Sequence, residues 1–207
     1  MASVTSLVAA TTNSGKIREI QHEWRISGIA DMHILSLSDF PGYQSPAEDQ
    51  TSFIGNAIIK AVAAARYSGA YALADDSGLS VTTLGGAPGV HSARFAGVDA
   101  TDEKNNAKLV AELRRLPQST HPAAYLCAIA IASPEAVLAT FTGRLDGEII
   151  LSPRGDGGFG YDPYFFIPHL NCTAAELTIQ QKSQISHRGA ALRAAIQWLR
   201  ANANRLA

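Results

Sequence analysis

Cysteine is scarce in this chain of 207 residues: only Cys127 and Cys172 occur, they form no CxxC pair, and a disulfide framework is not expected. Six histidines are scattered without an HxxxH or HExxH spacing, which argues against a dedicated zinc site. No apolar run approaches the roughly 20 residues of a membrane span. The longest, Ala123 to Ala132, is interrupted by Tyr125 and Cys127. The start, Met1 to Val8, lacks the basic segment and long apolar stretch of a signal peptide, so the expected address is the cytoplasm. An excess of either charge is also missing. Seventeen Lys and Arg stand against eighteen Asp and Glu, a net charge of −1, which excludes the broad basic footprint of a nucleic-acid coat. A small phosphorylated ligand stays open, because a few local cations suffice for it. Repeats, low-complexity tracts and linkers are absent too, so residues 1–207 are read as a single domain with neither nucleic acid nor membrane as partner.

What is present is an ordinary globular composition, 46% hydrophobic and 17% charged. Ser6 to Ala10 has the pattern of a short strand, followed by turn chemistry and a helix from Lys16 with Ile17, Ile20 and Trp24 on one side. A strand near His33 to Leu37 precedes a Pro-, Gly- and acid-rich loop, Pro41 to Gln50. Ser52 to Arg66 has helical spacing, with Ile54, Ile58, Val62 and Ala65 as its expected buried stripe. Tyr71 to Ala74 suggests a strand ending at Asp75-Asp76-Ser77-Gly78, with a second apolar stretch from Leu79 to Leu84. Thr101 caps a helix running to Leu116. Ala124 to Ala132 and Ala136 to Arg144 form an expected hairpin, Tyr164 to Ile167 a strand, and Thr173 to Glu176 a capping box. Gly189 to Leu206 is expected as one amphipathic helix with Leu192, Ile196, Leu199 and Ala203 on its stripe. Helices and strands that alternate before a hairpin predict an α/β fold with a mixed sheet.

Four segments carry candidate chemistry. The loop Thr11-Thr12-Asn13-Ser14-Gly15-Lys16 joins a strand to a helix start, where backbone N–H groups and a lysine favour an anion. It is no P-loop, since Ala10 and Ile17 occupy the first glycine and the Ser/Thr positions; a plain turn with a solvated lysine is the alternative. Asp75 and Asp76 leave a strand toward opposite sides, so one can hold Mg²⁺ or accept a proton from an attacking water, or the tetrapeptide merely closes a β-turn. Gly155 to Gly160 matches GxGxxG, yet a strand follows it rather than a helix. Phe159 and Tyr161 can instead stack on a flat ring while Asp162 accepts from ring N–H groups, unless the aromatics belong to the core. Lys182, His187 and Arg188 form a compact donor set, suited to a base carbonyl or a phosphate, or a solvated basic turn.

In combination, VAATTNSGKIREI, SFIGNAIIKA, ALADDSGLSVTTLGGAPGVHSARFAG, GDGGFGYDPYFFIP, TAAELT and KSQISHRGAAL resemble the inosine triphosphate pyrophosphatase family, in particular bacterial dITP/XTP pyrophosphatases. The likeness runs from near residue 8 to 192. It implies an elongated, two-lobed mixed sheet flanked by helices, an active cleft between the lobes, and a homodimer. It further implies Mg²⁺-dependent hydrolysis of ITP, dITP or XTP to monophosphate and pyrophosphate. Carried over residue by residue, Thr11 to Lys16 match the triphosphate loop, Asp76 the proton acceptor and metal ligand, and Ser77 a substrate contact. Lys60 matches a lysine near the reacting phosphates, Glu48 a second metal ligand, and Phe159, Gly160, Tyr161, Asp162, Lys182, His187 and Arg188 the base-binding set. Two departures stand out: Gly55 replaces the glutamate of a Phe-x-Glu-Asn-Ala pattern, and Thr12 stands where glycine is common. A phosphotransferase, a pyrophosphatase of modified pyrimidines and a nucleotide sensor without turnover are the rival readings.

Overall fold

The structure is a computed structural model that describes residues 5–29 and 32–206. The leader reading at the N-terminus falls partly on residues 1–4, outside the described residues. The elements run β1 (Thr5–Ala9), α1 (Ser14–Ser27), β2 (Met32–Ser36), α2 (Phe53–Ser68), β3 (Tyr71–Val81), α3 (Asp102–Leu113), β4 (Pro122–Ala132), β5 (Val137–Ile149), β6 (Phe165–Ile167), β7 (Cys172–Thr173), α4 (Ile179–Ile185), α5 (His187–Ala201) and α6 (Ala203–Leu206). One seven-stranded sheet has the order β2-β1-β3-β4-β5-β6-β7. Strand β1 is parallel to β2 and β3, whereas β5, β6 and β7 pair antiparallel, so the sheet is mixed. Neighbours β4 and β5 are joined by a tight turn in which Ser133 N–H donates to the Ala136 carbonyl at 2.8 Å, the expected hairpin.

The chain divides into two compact units, one made of Met1–Asp76, Cys127–Gly143 and Arg188–Ala207, the other of Ser77–Leu126 and Arg144–His187. In the first, strand alternation sorts side chains by size. Leu7, Leu73, Ile129 and Ile131 pack with Ile20 of α1 and Leu192 and Leu199 of α5. The intervening Val8, Ala72, Ala74, Ala128 and Ala130 meet Ala57, Ala61, Ala64 and Ala65 of α2. Small residues on both sides let the α2 backbone approach the sheet closely. The stripe expected on α2 is therefore displaced: Ile54 is exposed, Ile58 and Val62 are half-buried, and the face turned to the sheet is alanine with Asn56 and Lys60. Alanine wins that face because shape complementarity, not bulk, decides helix-on-sheet packing here.

The second unit builds its core from Leu79, Val81, Leu109, Leu113, Tyr125, Tyr161, Phe165 and Ile167. Several expected boundaries shift. Strand β3 continues unbroken through Asp75-Asp76-Ser77-Gly78 to Val81, so that tetrapeptide is extended and no β-turn closes there. Helix α3 stops at Leu113, and the short helix expected to open at Thr173 begins only at Ile179, as α4. Thr173 and Glu176 cap only a single 3-10 turn. The C-terminal amphipathic stretch is two helices, broken at Asn202, and Ala203 is exposed rather than on the buried stripe.

Candidate active site

Two groups of buried charged side chains stand out, one in each unit, and both are built from segments singled out in the sequence. In the first unit, β1 ends at Ala9 and the chain turns through Thr11 to Asn13 into α1. Asn13 is the N-cap, its side-chain oxygen accepting from Lys16 N–H at 3.0 Å, and Thr12, Asn13 and Ser14 are exposed. Gly15 is buried against the fold, and the ammonium of Lys16 reaches Asp75 at 3.0 Å.

Strand β3 extends past the end of β1, whose last contact is Ala10 N–H on the Leu73 carbonyl at 2.8 Å. Its consecutive carboxylates point to opposite faces, as period-two alternation requires. Asp75 joins the α1 and α5 side, where Lys16 Nζ and Arg188 Nε each sit 3.0 Å away and Cys127 Sγ lies 3.9 Å away. Arg188 also binds Glu19 of α1. Asp76 joins the α2 side. Lys60 Nζ donates to its Oδ1 at 3.0 Å, and Asn56 Nδ2 donates to its Oδ2 at 3.1 Å.

Helix periodicity delivers that pair, since Asn56 and Lys60 are four residues apart on one face. Lys60 also reaches Glu48 at 3.4 Å. The acidic loop that carries Glu48 is tied to α2 at both ends: Gln50 N–H donates to Asn56 Oδ1 at 3.1 Å, and the Tyr67 hydroxyl donates to the Pro41 carbonyl at 2.7 Å.

These contacts separate the two acids electrostatically. Burial disfavours charge on Asp75, but Lys16 and Arg188 outweigh it and hold its carboxyl well below the usual carboxylate range. For Asp76 burial prevails over Lys60 and Asn56, and its pKa is raised. Burial also works against the Lys60 ammonium, yet Asp76, Asp75 and Glu48 keep its pKa above the ordinary lysine value. Burial, then the neighbouring Asp75, pushes the Cys127 thiol up, so it stays protonated and unreactive.

The second group surrounds Asp162, which is buried. Its Oδ2 accepts from Lys182 Nζ at 2.5 Å and from Phe159 N–H at 2.9 Å, and its Oδ1 accepts from the Tyr125 hydroxyl at 3.2 Å. Lys182 Nζ lies 4.8 Å from the Phe159 ring centroid, and the His187 ring stacks on Tyr125 at 4.8 Å with 14° between planes. Gly158 is required here: its φ is +74° and an added Cβ would meet Asp162 Oδ2 at 2.1 Å. Helix α3 grips the next glycine from both sides, Asp102 accepting from Gly160 N–H at 2.6 Å and Asn106 donating to its carbonyl at 2.8 Å.

Phe159, Asp162, Lys182 and His187 are thus gathered, as the sequence suggested. Tyr161 is corrected: its ring is in the core and its hydroxyl donates to the Ser92 carbonyl at 2.8 Å, so it is no stacking platform. Arg188 lies in the first unit with Asp75 and Glu19. Ser77 is half-buried, directly after Asp76 on β3. Sequence reasoning missed Glu19, Tyr125, Asp102 and Asn106 altogether. Of these only Tyr125 left a signal, as a polar atom inside an otherwise apolar strand.

Comparison with known proteins places the chain in a family. A protein of Geobacter sulfurreducens named dITP/XTP pyrophosphatase is 50% identical over 192 residues, covering 91% of this chain and 94% of that protein. The solved structure of a HAM1 protein from Coxiella burnetii matches with a TM-score of 0.85 and 40% identity, covering 94% of this chain and 98% of the other. The Staphylococcus aureus Ham1 protein matches with a TM-score of 0.83 and 36% identity, covering 96% and 100%. The family model described as Ham1 family matches residues 7–198, and the chain belongs to that family.

Proposed function

We propose that this chain hydrolyses deaminated purine nucleoside triphosphates (ITP, dITP and XTP) to the monophosphate and pyrophosphate, removing them from the nucleotide pool. The observation that carries the proposal is the Asp75-Asp76 pair on β3, each carboxylate holding a lysine on its own face of the strand. A water attacking phosphorus needs a base beside it and positive charge around the leaving phosphates. Asp76 is the base: its raised pKa brings proton affinity closer to neutrality, and its two oxygens are oriented by Lys60 and Asn56. It takes the proton of the water that attacks phosphorus, the bond to the bridging oxygen breaks, and pyrophosphate departs with that oxygen. Lys60 and Lys16 stabilise the charge that grows on the phosphates, and the exposed stretch Thr12 to Ser14 offers backbone donors at the start of α1.

The donor set fits Mg²⁺. Among the described residues no group of three or more His, Cys, Asp or Glu side chains comes together, but Asp76 and Glu48 both reach Lys60 Nζ. One or two carboxylates, completed by substrate phosphates and water, suit this ion. Asp76 and Glu48 would hold it, and bound there it supplies charge neutralisation to the triphosphate.

Base selection follows from donors. Hypoxanthine and xanthine carry an oxygen at C6, where adenine has an amino group. Lys182 beside Phe159 presents N–H donors to such an oxygen, and an amino group would leave them unpaired. Phe159 provides a stacking face, and Asp162 and His187 complete the polar set. By the family resemblance the chain acts as a homodimer in the cytoplasm. Among the described residues no helix is long and apolar enough to cross a membrane.

The test is pyrophosphate release from ITP, dITP, XTP, ATP and GTP, with and without Mg²⁺. Release from the first three, dependent on the metal and far slower with ATP, is expected. Equal rates with ATP and ITP, or no release, overturn the proposal.

A further inference from the structure

The proposed chemistry uses Asp76 and leaves Asp75 unassigned, although Asp75 is the more deeply buried of the two, with its side chain 0% exposed. A lone carboxylate at such a place is strongly disfavoured, and this one lies within a chain of alternating charge. Glu19 binds Arg188, Arg188 binds Asp75 at 3.0 Å, and Asp75 binds Lys16 at 3.0 Å. Both ends of the chain belong to α1, where Glu19 and Lys16 are three residues apart and therefore neighbours on its surface. The ring closes on the helix that the phosphate loop opens. Exposure rises toward its open ends: the side chains of Asp75 and Arg188 are 0% and 3% exposed, those of Lys16 and Glu19 15% and 14%.

We propose that Asp75 is a positioning residue for phosphate binding: it fixes the Lys16 ammonium at the start of α1, with Arg188 and Glu19 bracing it from behind. This rests on the proposed function, in which Lys16 meets the triphosphate. Lysine has a flexible four-carbon stem and three donors. The ion pair with Asp75 at 3.0 Å holds that ammonium in one place. Because Asp75 and Asp76 are consecutive on one extended strand, the same backbone segment sets the place of the phosphate-binding lysine and of the base. Asp75 itself is sealed from solvent.

Steady-state pyrophosphate release from dITP is measured for the wild type, Asp75→Asn, Lys16→Gln and the double variant. Asp75→Asn is expected to lower kcat/KM at least tenfold, yet to lower it less than twofold further when Lys16 is already glutamine. Effects that multiply in the double variant overturn the proposal, since Asp75 then acts independently of Lys16. A second measurement needs no turnover and no folded Asp75 variant. In protein labelled with ¹⁵N-lysine, a fixed Lys16 ammonium exchanges slowly enough to give a sharp Nζ resonance, identified by its loss in Lys16→Gln. A wild type without that resonance overturns the proposal. A wild type that shows it and releases no pyrophosphate overturns the proposed function and leaves the assignment of Asp75 standing.

Discussion

Replacing Gly78 by alanine tests whether β3 is locked where the structure places it. Gly78 is the last residue of Asp-Asp-Ser-Gly, and its backbone is extended. An added Cβ would lie 2.3 Å from Ser92 Oγ, 2.6 Å from the Gly89 carbonyl oxygen and 2.9 Å from Ser92 Cβ. None of these atoms is the free end of a flexible chain. Ser92 Oγ accepts from Leu79 N–H at 2.9 Å and donates to the Gly89 carbonyl at 2.6 Å, while the Ser92 carbonyl accepts from the Tyr161 hydroxyl at 2.8 Å. Overpacking of a tight site costs about 1–3 kcal/mol. Each of the two hydroxyl bonds displaced adds about 1 kcal/mol. Against this, alanine lowers the unfolded-state entropy by about 0.4–1 kcal/mol. The net loss is about 2–5 kcal/mol, which for a chain of this length lowers Tm by roughly 4–20 °C.

Gly85 is the control: its φ is +63° and nothing lies within 4 Å of a built Cβ, so Gly85→Ala carries only the left-handed backbone penalty. That penalty is about 1–2 kcal/mol. Thermal and guanidinium unfolding followed by circular dichroism measure both variants. If Gly78→Ala is no less stable than Gly85→Ala, the close packing of β3 on the Gly89–Ser92 segment is wrong.

Three further outcomes are expected. Asp76→Asn removes the proposed base while keeping shape and the Asn56 contact, so kcat for dITP should fall about 10²–10⁴-fold with circular dichroism unchanged, and near-normal turnover would sink the assignment. Tyr125→Phe deletes the hydroxyl that donates to Asp162 but preserves the ring under His187, so KM for dITP should rise several-fold while kcat changes little; an unchanged KM refutes the role of Tyr125 in holding Asp162. Asp75 has a depressed native pKa, so its contribution to stability is present above the unfolded value of about 3.9 and is lost as pH falls below it. The gap in unfolding free energy between wild type and Asp75→Asn should therefore stay constant from pH 8 to 5 and narrow below pH 4; a gap that narrows already between pH 8 and 6 contradicts the assignment.

Much of the local structure was legible because it depends on neighbours in sequence. Asn13, Ser52 and Thr101 cap the helices they were expected to start or flank, since a cap needs only a side-chain oxygen and the next free N–H groups. The hairpin from β4 to β5 was legible in the same way, from two β-rich runs around Ser133-Pro134. Asp-Asp-Ser-Gly was not legible as strand, because those residue types favour turns when nothing else acts on them. Lys16, Lys60, Asn56 and Arg188 hold them extended, and these partners come from three other elements. The α2 stripe misled for a related reason: hydrophobicity points to Ile54 and Val62, whereas the sheet presents alanines and accepts only a small-residue face.

The candidate site divides along the same line. By itself the sequence singled out the candidate residues and the segments in which they lie, because a strand–loop–lysine–helix order or a run of glycines before an acid is a local pattern. It also determined that only one of two consecutive acids can face a given side, since alternation is a property of any strand. Which acid meets which partners was decided only in the tertiary structure. Asp75 and Asp76 are identical in type, and their environments part them through burial, through charges brought from residues 16, 60 and 188, and through the Asn56 amide. The scarcity that marks the sequence has its counterpart there: with few charges to place, the fold sets most of the site's cations and acids against each other at about 3 Å, and long-range packing, which no local pattern encodes, chooses the partners.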